Sequence, residues 1–222
     1  MRHFSIAIDG PAGAGKSTIA KMLAKKLGFI YVDTGAMYRA MALHFLRNGI
    51  AADDNKKIED ACQDVDVTIE YKNGEQIVIL NDENVNGLIR TEEVGNMASA
   101  SSVNRIVRLK LVELQQSLAR KQDVIMDGRD IGTYVLPEAD LKIYLTASAK
   151  ERARRRWDEL KQKGIASDIA EIEKDIIERD NRDMTREFAP LRKAEDAIMI
   201  DSSDMTIDTV VAAILNCFSQ KS

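Results

Sequence analysis

The chain has 222 residues, a formal net charge of −4 at neutral pH and 45% hydrophobic residues. That length buries a full core, as one domain with an insertion or as two small domains. The acidic balance excludes a general attraction to nucleic acid, so any polyanion chemistry must come from local arginine clusters. Cys62 and Cys217 are too few for a disulfide framework, and His3 and His44 leave no Cys/His metal spacing. No apolar run approaches the length of a membrane span. A strand-like pattern begins at Phe4, which argues against a signal peptide. Nothing resembles a coiled coil, so a soluble, cytoplasmic monomer is expected.

Residues 4–9 form a short apolar run suited to a buried strand. Gly10, Pro11, Ala12, Gly13, Ala14, Gly15, Lys16, Ser17 and Thr18 follow at once, a complete G-x-x-x-x-G-K-S phosphate-binding loop. Each position has its own work. Glycines let backbone N–H groups turn inward on phosphate oxygens. Lys16 reaches the β- and γ-phosphates, and the Ser17 hydroxyl can ligate magnesium. Ile19, Ala20, Leu23, Ala24 and Leu27 then fall at helical spacing, with Gly28 as a C-terminal cap. Such a helix aims its positive end at the same anion.

A second strand over residues 29–32 leads into Asp33-Thr34-Gly35-Ala36-Met37-Tyr38-Arg39 and a helix near 36–48. Asp33 or Thr34 can cap that helix. Arg39 either projects toward an anion or is a solvated arginine. Asn55-Lys56-Lys57 lacks the aspartate that guanine recognition needs, which weighs against a GTPase. Val65–Tyr71 and Gln76–Leu80 are β-rich runs joined through Asn73-Gly74, a strong hairpin signal. Residues 63–98 therefore read as an insertion with antiparallel strands. A helix near 103–121 and a strand over 124–126 follow. Asp127-Gly128-Arg129-Asp130 then forms a ligand-side loop. There Asp127 can hold magnesium-bound water, while Arg129 and Asp130 suit a second substrate.

Residues 141–145 read as another strand, and helices are expected near 148–162, 169–182 and 206–218, with a last strand over 197–200. Arg152, Arg154, Arg155 and Arg156 crowd the first of these helices, followed by Lys161 and Lys163. Arg179, Asp183 and Arg186 share one face of the next if it runs that far. Planar guanidinium donors suit phosphates held in a fixed geometry. The alternation predicts a three-layer α/β fold with a five-stranded parallel sheet and ligands at the strand C-terminal ends. A phosphate loop alone does not name a reaction. GTPases, ATPase motors and small-molecule kinases all carry one, so a small-molecule kinase and a slow nucleotide-hydrolysing regulatory module both remain open.

Residues 9–18, 33–39, 127–133, Glu178-Arg179-Asp180 and Ala189-Pro190-Leu191 together resemble the bacterial cytidylate kinases of the nucleoside monophosphate kinase group. The likeness runs over essentially the whole chain. It implies phosphoryl transfer from ATP, with Mg2+, to CMP or dCMP, and small-molecule partners rather than nucleic acid or membrane. It implies a P-loop kinase core over 1–62 and 99–222, an arginine-rich lid near 154–168, and a nucleoside-monophosphate-binding insertion over 63–98. By the same likeness residues 10–18 bind ATP. Ser99, Arg108 and Asp130 read the cytosine edge, Thr34 lines the site, and Arg39, Arg129 and Arg186 hold the α-phosphate. Arg179 and Asp183 meet the ribose. Lys16, Arg129, Arg186 and a lid arginine, Arg155, spread the charge of the transition state. Ser101 and Ser102 compete with Ser99 for its place.

Overall fold

A computed structural model describes residues 3–221. Its strands are β1 (Ser5–Asp9), β2 (Ile30–Asp33), β3 (Val67–Lys72), β4 (Glu75–Leu80), β5 (Glu83–Asn84), β6 (Val124–Gly128), β7 (Leu141–Thr146) and β8 (Ile198–Asp201). Its helices are α1 (Lys16–Leu27), α2 (Thr34–Arg47), α3 (Asn55–Asp64), α4 (Glu92–Ser101), α5 (Arg105–Ala119), α6 (Ala149–Gln162), α7 (Ile169–Thr185) and α8 (Ile207–Ser219). A five-stranded parallel sheet runs in the order β2-β6-β1-β7-β8, and a three-stranded antiparallel sheet runs β3-β4-β5. The expected fold class is the observed one. Among the described residues no helix is long and apolar enough to cross a membrane.

The chain divides into two compact units. The larger one comprises residues 4–29 and 125–222. Its centre is β1 beside β7, with Ile6 aligned to Leu141 and Asp9 to Tyr144, and β7 beside β8. Ile6, Ala7 and Ile8 have no exposed surface, which is why β1 reads as a continuous apolar run rather than an alternation. Ile19 and Leu23 of α1 and Val210, Val211 and Ile214 of α8 are buried on helical spacing. Each such side chain gains roughly 1.5–3 kcal/mol from leaving water. Gly28 ends α1 in the left-handed conformation and donates its N–H to Ala24 O.

The other unit spans residues 30–124, with His3. Met37, Met41 and Phe45 of α2 and Val78 and Leu80 of β4 belong to its buried core. The β3–β4 hairpin turns at Asn73 (φ 55°) and Gly74 (φ 78°), the left-handed pair that a two-residue turn demands. α3 and α4 answer to no strong periodicity. α3 buries only Ile58 and Cys62, too sparse a stripe to stand out, and α4 follows the capping residue Thr91 inside the stretch read as a β-rich insertion. α7 runs three residues past the expected end at 182, so Asp183 joins Arg179 on it and Arg186 is its C-cap.

Candidate active site

The phosphate loop leaves β1 at Gly10. A Cβ there would sit 1.9 Å from Leu145 O, so only glycine allows the loop to cross the end of β7. Lys16 is 5% exposed, and its Nζ donates to Pro11 O at 2.7 Å, folding the amine over its own loop. Burial pushes the Lys16 ammonium down to about 7, and nearby Arg129 adds to the push. Asp127, Asp9 and Asp183 pull the other way. A charged amine left this dry favours an anionic ligand. Ser17 Oγ donates to Asp127 Oδ2 at 2.9 Å, which brings the hydroxyl at the start of α1 to the carboxylate at the end of β6. The two oxygens form a hard donor pair of the kind that holds magnesium beside phosphates. Their proximity was foreshadowed only as two separate motifs.

A cleft of about 660 Å³ opens on this loop. The glycine loop and the start of α1 form one wall, and Arg154, Arg155 and Arg156 of α6 another. Met205, Thr206 and Ile207 supply a less polar end. Arg155 Nε donates to Glu151 Oε1 at 3.0 Å and its Nη2 donates to Ser202 O at 2.6 Å. Hydrogen bonds from Arg154 first, then Arg155, hold the Glu151 carboxyl down near 2. Arg154 and Arg156 are exposed and pair along their own helix with Asp158 and Glu159. Arg152, although part of the same arginine run, is buried and points away from the lid stretch into the loop itself.

A second cluster in the larger unit gathers predicted acceptor residues. Arg129 Nε donates to Asp183 Oδ2 at 2.8 Å. Arg186 lies 3.5 Å from Asp130 Oδ1 and 3.8 Å from Asp183 Oδ1. Burial opposes ionisation of Asp183, but Arg129, then Arg179 and Arg186, outweigh it and hold the carboxyl below its ordinary value. The α7 extension makes this possible, since it carries Asp183 one turn beyond Arg179. The chain then doubles back so that Leu191 N–H meets Asp183 O at 2.8 Å. Ala189 takes a left-handed φ of 49°, a strain of about 1–2 kcal/mol, and its carbonyl accepts from Arg186 Nε at 2.8 Å. Sequence pattern gave no sign of Asp9 in this arrangement. Its carboxylate accepts from Ile131 N–H at 2.8 Å and Gly132 N–H at 2.7 Å. Those amides open a π turn, Ile131–Val135, directly after Asp130. Burial pushes the Asp9 carboxyl up to about 7 against those two hydrogen bonds.

The smaller unit holds Thr34, Arg39, Ser99 and Arg108. Asp33 caps α2 by accepting from Ala36 N–H at 2.9 Å. The same carboxylate takes Arg39 Nη2 at 3.2 Å and Arg90 Nη2 at 2.7 Å. Arg39 is thus neither a bare anion hook nor a solvated side chain. Burial opposes ionisation of Asp33, and the two guanidiniums overcome it. The Gln76 side chain binds the Asp33 backbone at both ends, accepting at 2.8 Å and donating at 3.1 Å, which fixes the β4 strand against this cap. Neither Arg90 nor Gln76 had a sequence signal. Arg108 is 1% exposed, lies over the Tyr38 ring at 5.3 Å, and donates to Ser102 O at 3.2 Å. The Ser101 and Ser102 hydroxyls donate back to Met97 O and Ser99 O.

A strand, glycine loop and helix on a parallel sheet, with the loop hydroxyl against a strand-end aspartate, define a P-loop nucleotide-binding enzyme. The family described as Cytidylate kinase matches residues 6–220. A cytidylate kinase of Caldicellulosiruptor bescii is 55% identical over 218 residues, 98% of this chain and 96% of that protein. One from Carboxydothermus hydrogenoformans is 49% identical, covering 97% of each chain. One from Shouchella clausii is 46% identical over all of this chain and 98% of its own. Among solved structures, an uncharacterized protein from Eubacterium ventriosum shares the fold with a TM-score of 0.55 at 12% identity, covering 98% and 99% of the two chains. A Thermus thermophilus protein does so at 0.50 and 13% over the full length of both. The chain belongs to the cytidylate kinase family.

Proposed function

We propose that this protein transfers the γ-phosphoryl group of ATP to CMP or dCMP, giving ADP and CDP or dCDP. The observation that carries the reading is the complete phosphate loop, with buried Lys16 and the Ser17–Asp127 pair, in a chain of this family. The acceptor is already an anionic phosphate oxygen, so no strong general base is needed. Catalysis is alignment plus charge neutralisation. Residues 10–18 cradle the donor phosphates. Lys16 draws the β- and γ-oxygens, and Ser17 with Asp127 would hold Mg2+, which supplies charge neutralisation there when bound. Arg155 of the 154–168 lid completes the donor side.

On the acceptor side, Arg39, Arg129 and Arg186 hold the α-phosphate, and Arg179 with Asp183 meets the ribose. Asp130 accepts from the exocyclic amine of cytosine, while Arg108 and Ser99 donate to its ring acceptors. Thr34 and the 63–98 insertion border that nucleotide. Uracil presents a carbonyl where cytosine has its amine, and that carbonyl faces the Asp130 carboxylate with repulsion. The enzyme works as a cytoplasmic monomer. A coupled ADP-release assay across CMP, dCMP, UMP, AMP, GMP and shikimate tests the reading. The expected result is turnover with CMP and dCMP far above the rest. ATP hydrolysis indifferent to acceptor, or preference for UMP, would overturn it.

A further inference from the structure

Arg152 is a charged residue that the proposed chemistry does not use. It is 5% exposed, and its fork spans three partners. Nη1 donates to Ala12 O in the donor loop at 2.8 Å, and Nε donates to Ala147 O just past β7 at 2.8 Å. Nη2 meets Asp180 Oδ2 on α7 at 2.6 Å, where Asp180 is 6% exposed. The stem of the same side chain fills the space over Gly13, where an added Cβ would lie 3.3 Å from Arg152 Cβ. Burying this ion pair is costly, and a hydrophobic pair of similar volume would serve packing as well or better. The other oxygen, Asp180 Oδ1, is buried without a hydrogen-bond partner, so the pair is not arranged for maximal stability. What the arrangement does achieve is register. Ala12 and Gly13 belong to the loop that would hold the donor phosphates. Asp180 lies beside Arg179 and three residues from Asp183, on the helix that would hold the acceptor.

We infer that Arg152 and Asp180 are positioning residues that hold the donor loop in register with the acceptor-bearing face of α7. The inference rests on the proposed donor and acceptor sides. In-line phosphoryl transfer needs the two phosphates set within a fraction of an ångström, and a misplacement of about 1 Å costs on the order of a hundredfold in rate. A guanidinium fork tied to two carbonyls and a carboxylate supplies that rigidity, whereas a lysine at the same place can satisfy only part of it.

The test uses the whole protein with Arg152→Lys and with the near-isosteric Asp180→Asn, singly and together. The first readout compares CDP formed with ADP released under saturating ATP and CMP. Each variant is expected to lower kcat by tenfold or more, to change KM for CMP less than threefold, and to release more ADP per CDP. The double variant should fall no lower than the worse single one, because both break one tie. The second readout needs no acceptor. Addition of ATP alone should slow amide exchange across residues 176–186 of the wild type, and this protection should be lost in Asp180→Asn. A kcat that declines only with the folded fraction, with product ratio unchanged, overturns the inference. So does equal ATP-induced protection of α7 in wild type and variant, or its absence from the wild type. If CMP supports no turnover in the wild type, the functional reading fails, while the exchange experiment still decides the role of Arg152.

Discussion

The phosphate loop and the clusters proposed for the acceptor meet their charges in opposite ways. Lys16 sits nearly dry with its ammonium pushed down, so desolvation governs the charge of the loop. The arginines proposed for the acceptor are already matched with carboxylates: Arg129 to Asp183, Arg186 toward Asp130 and Asp183, and Arg39 to Asp33. Desolvation sets the charge on one side, and built-in carboxylates balance it on the other. A phosphate arriving at the loop restores an ammonium, whereas one arriving at the arginines must compete with built-in carboxylates. That competition favours a ligand that brings further correct contacts along with its phosphate. Selectivity should therefore reside on the acceptor side, and raw catalytic power on the donor side.

The sharpest way to break this contrast is Lys16→Ala. Loss of the one cation that the loop itself supplies should lower turnover by several orders of magnitude, with the fold intact by circular dichroism. Near-normal CMP-dependent ADP release from that variant would sink the donor assignment. Next in size is selectivity. Asp130→Asn should cost CMP about 1–3 kcal/mol of transition-state binding, roughly ten- to a hundredfold in kcat/KM, and should gain ground for UMP. Steady-state kinetics with both acceptors decide it. An unchanged CMP-to-UMP ratio would remove Asp130 from base recognition.

A smaller effect reads the desolvated lysine directly. With its value near 7, below the ordinary 10.5, Lys16 is largely deprotonated in the free protein at alkaline pH. Phosphates favour the ammonium, so donor binding there must take up a proton. Donor affinity should then fall as pH rises above about 7, by up to about tenfold per pH unit until Lys16 would titrate normally. Calorimetry of ATP binding in two buffers of different ionisation enthalpy measures the uptake. It should approach one proton in the wild type and vanish in Lys16→Met. Equal enthalpies in both buffers for the wild type would mean that the lysine stays charged.

The same contrast explains what could be read in the chain. The phosphate loop is contiguous, and its pattern is a set of residue types at fixed spacing, so the loop over residues 10–18 and the helix after it were legible with almost no structure. Strand positions were legible too, because β1, β6 and β7 are buried on both faces and stand out as apolar runs. The acceptor arginines could be singled out, but not their pairing. Arg129 meets Asp183 across 54 positions of sequence, and no periodicity carries that information. The contacts of Asp9, Arg90, Gln76 and Arg152 stayed invisible for a related reason. Each acts through backbone carbonyls, amides or a distant carboxylate, and those partners leave no trace in composition. Arg152 was grouped in one run with Arg154, Arg155 and Arg156, since spacing alone cannot tell a buried fork from a solvated one two residues away.

The β3–β4 turn offers the mildest test, on a feature as locally encoded as the phosphate loop but without its chemistry. Asn73 and Gly74 both take positive φ, and a Cβ on Gly74 would touch nothing within 4 Å. The cost of Gly74→Ala is therefore backbone strain alone, about 1 kcal/mol, with no steric clash to confuse it. Chemical denaturation should show a lower midpoint at an unchanged slope, and kcat at saturating substrate should stay within twofold. The hairpin also presents Gln76, whose amide grips the Asp33 backbone, and Asp33 in turn holds Arg39. If strain at the turn passes down β4 to that grip, KM for CMP will rise while the donor KM stays fixed. A rise in both, or in the donor KM alone, would mean that the turn acts through global stability, and that the acceptor arginine is set by α2 without help from the hairpin.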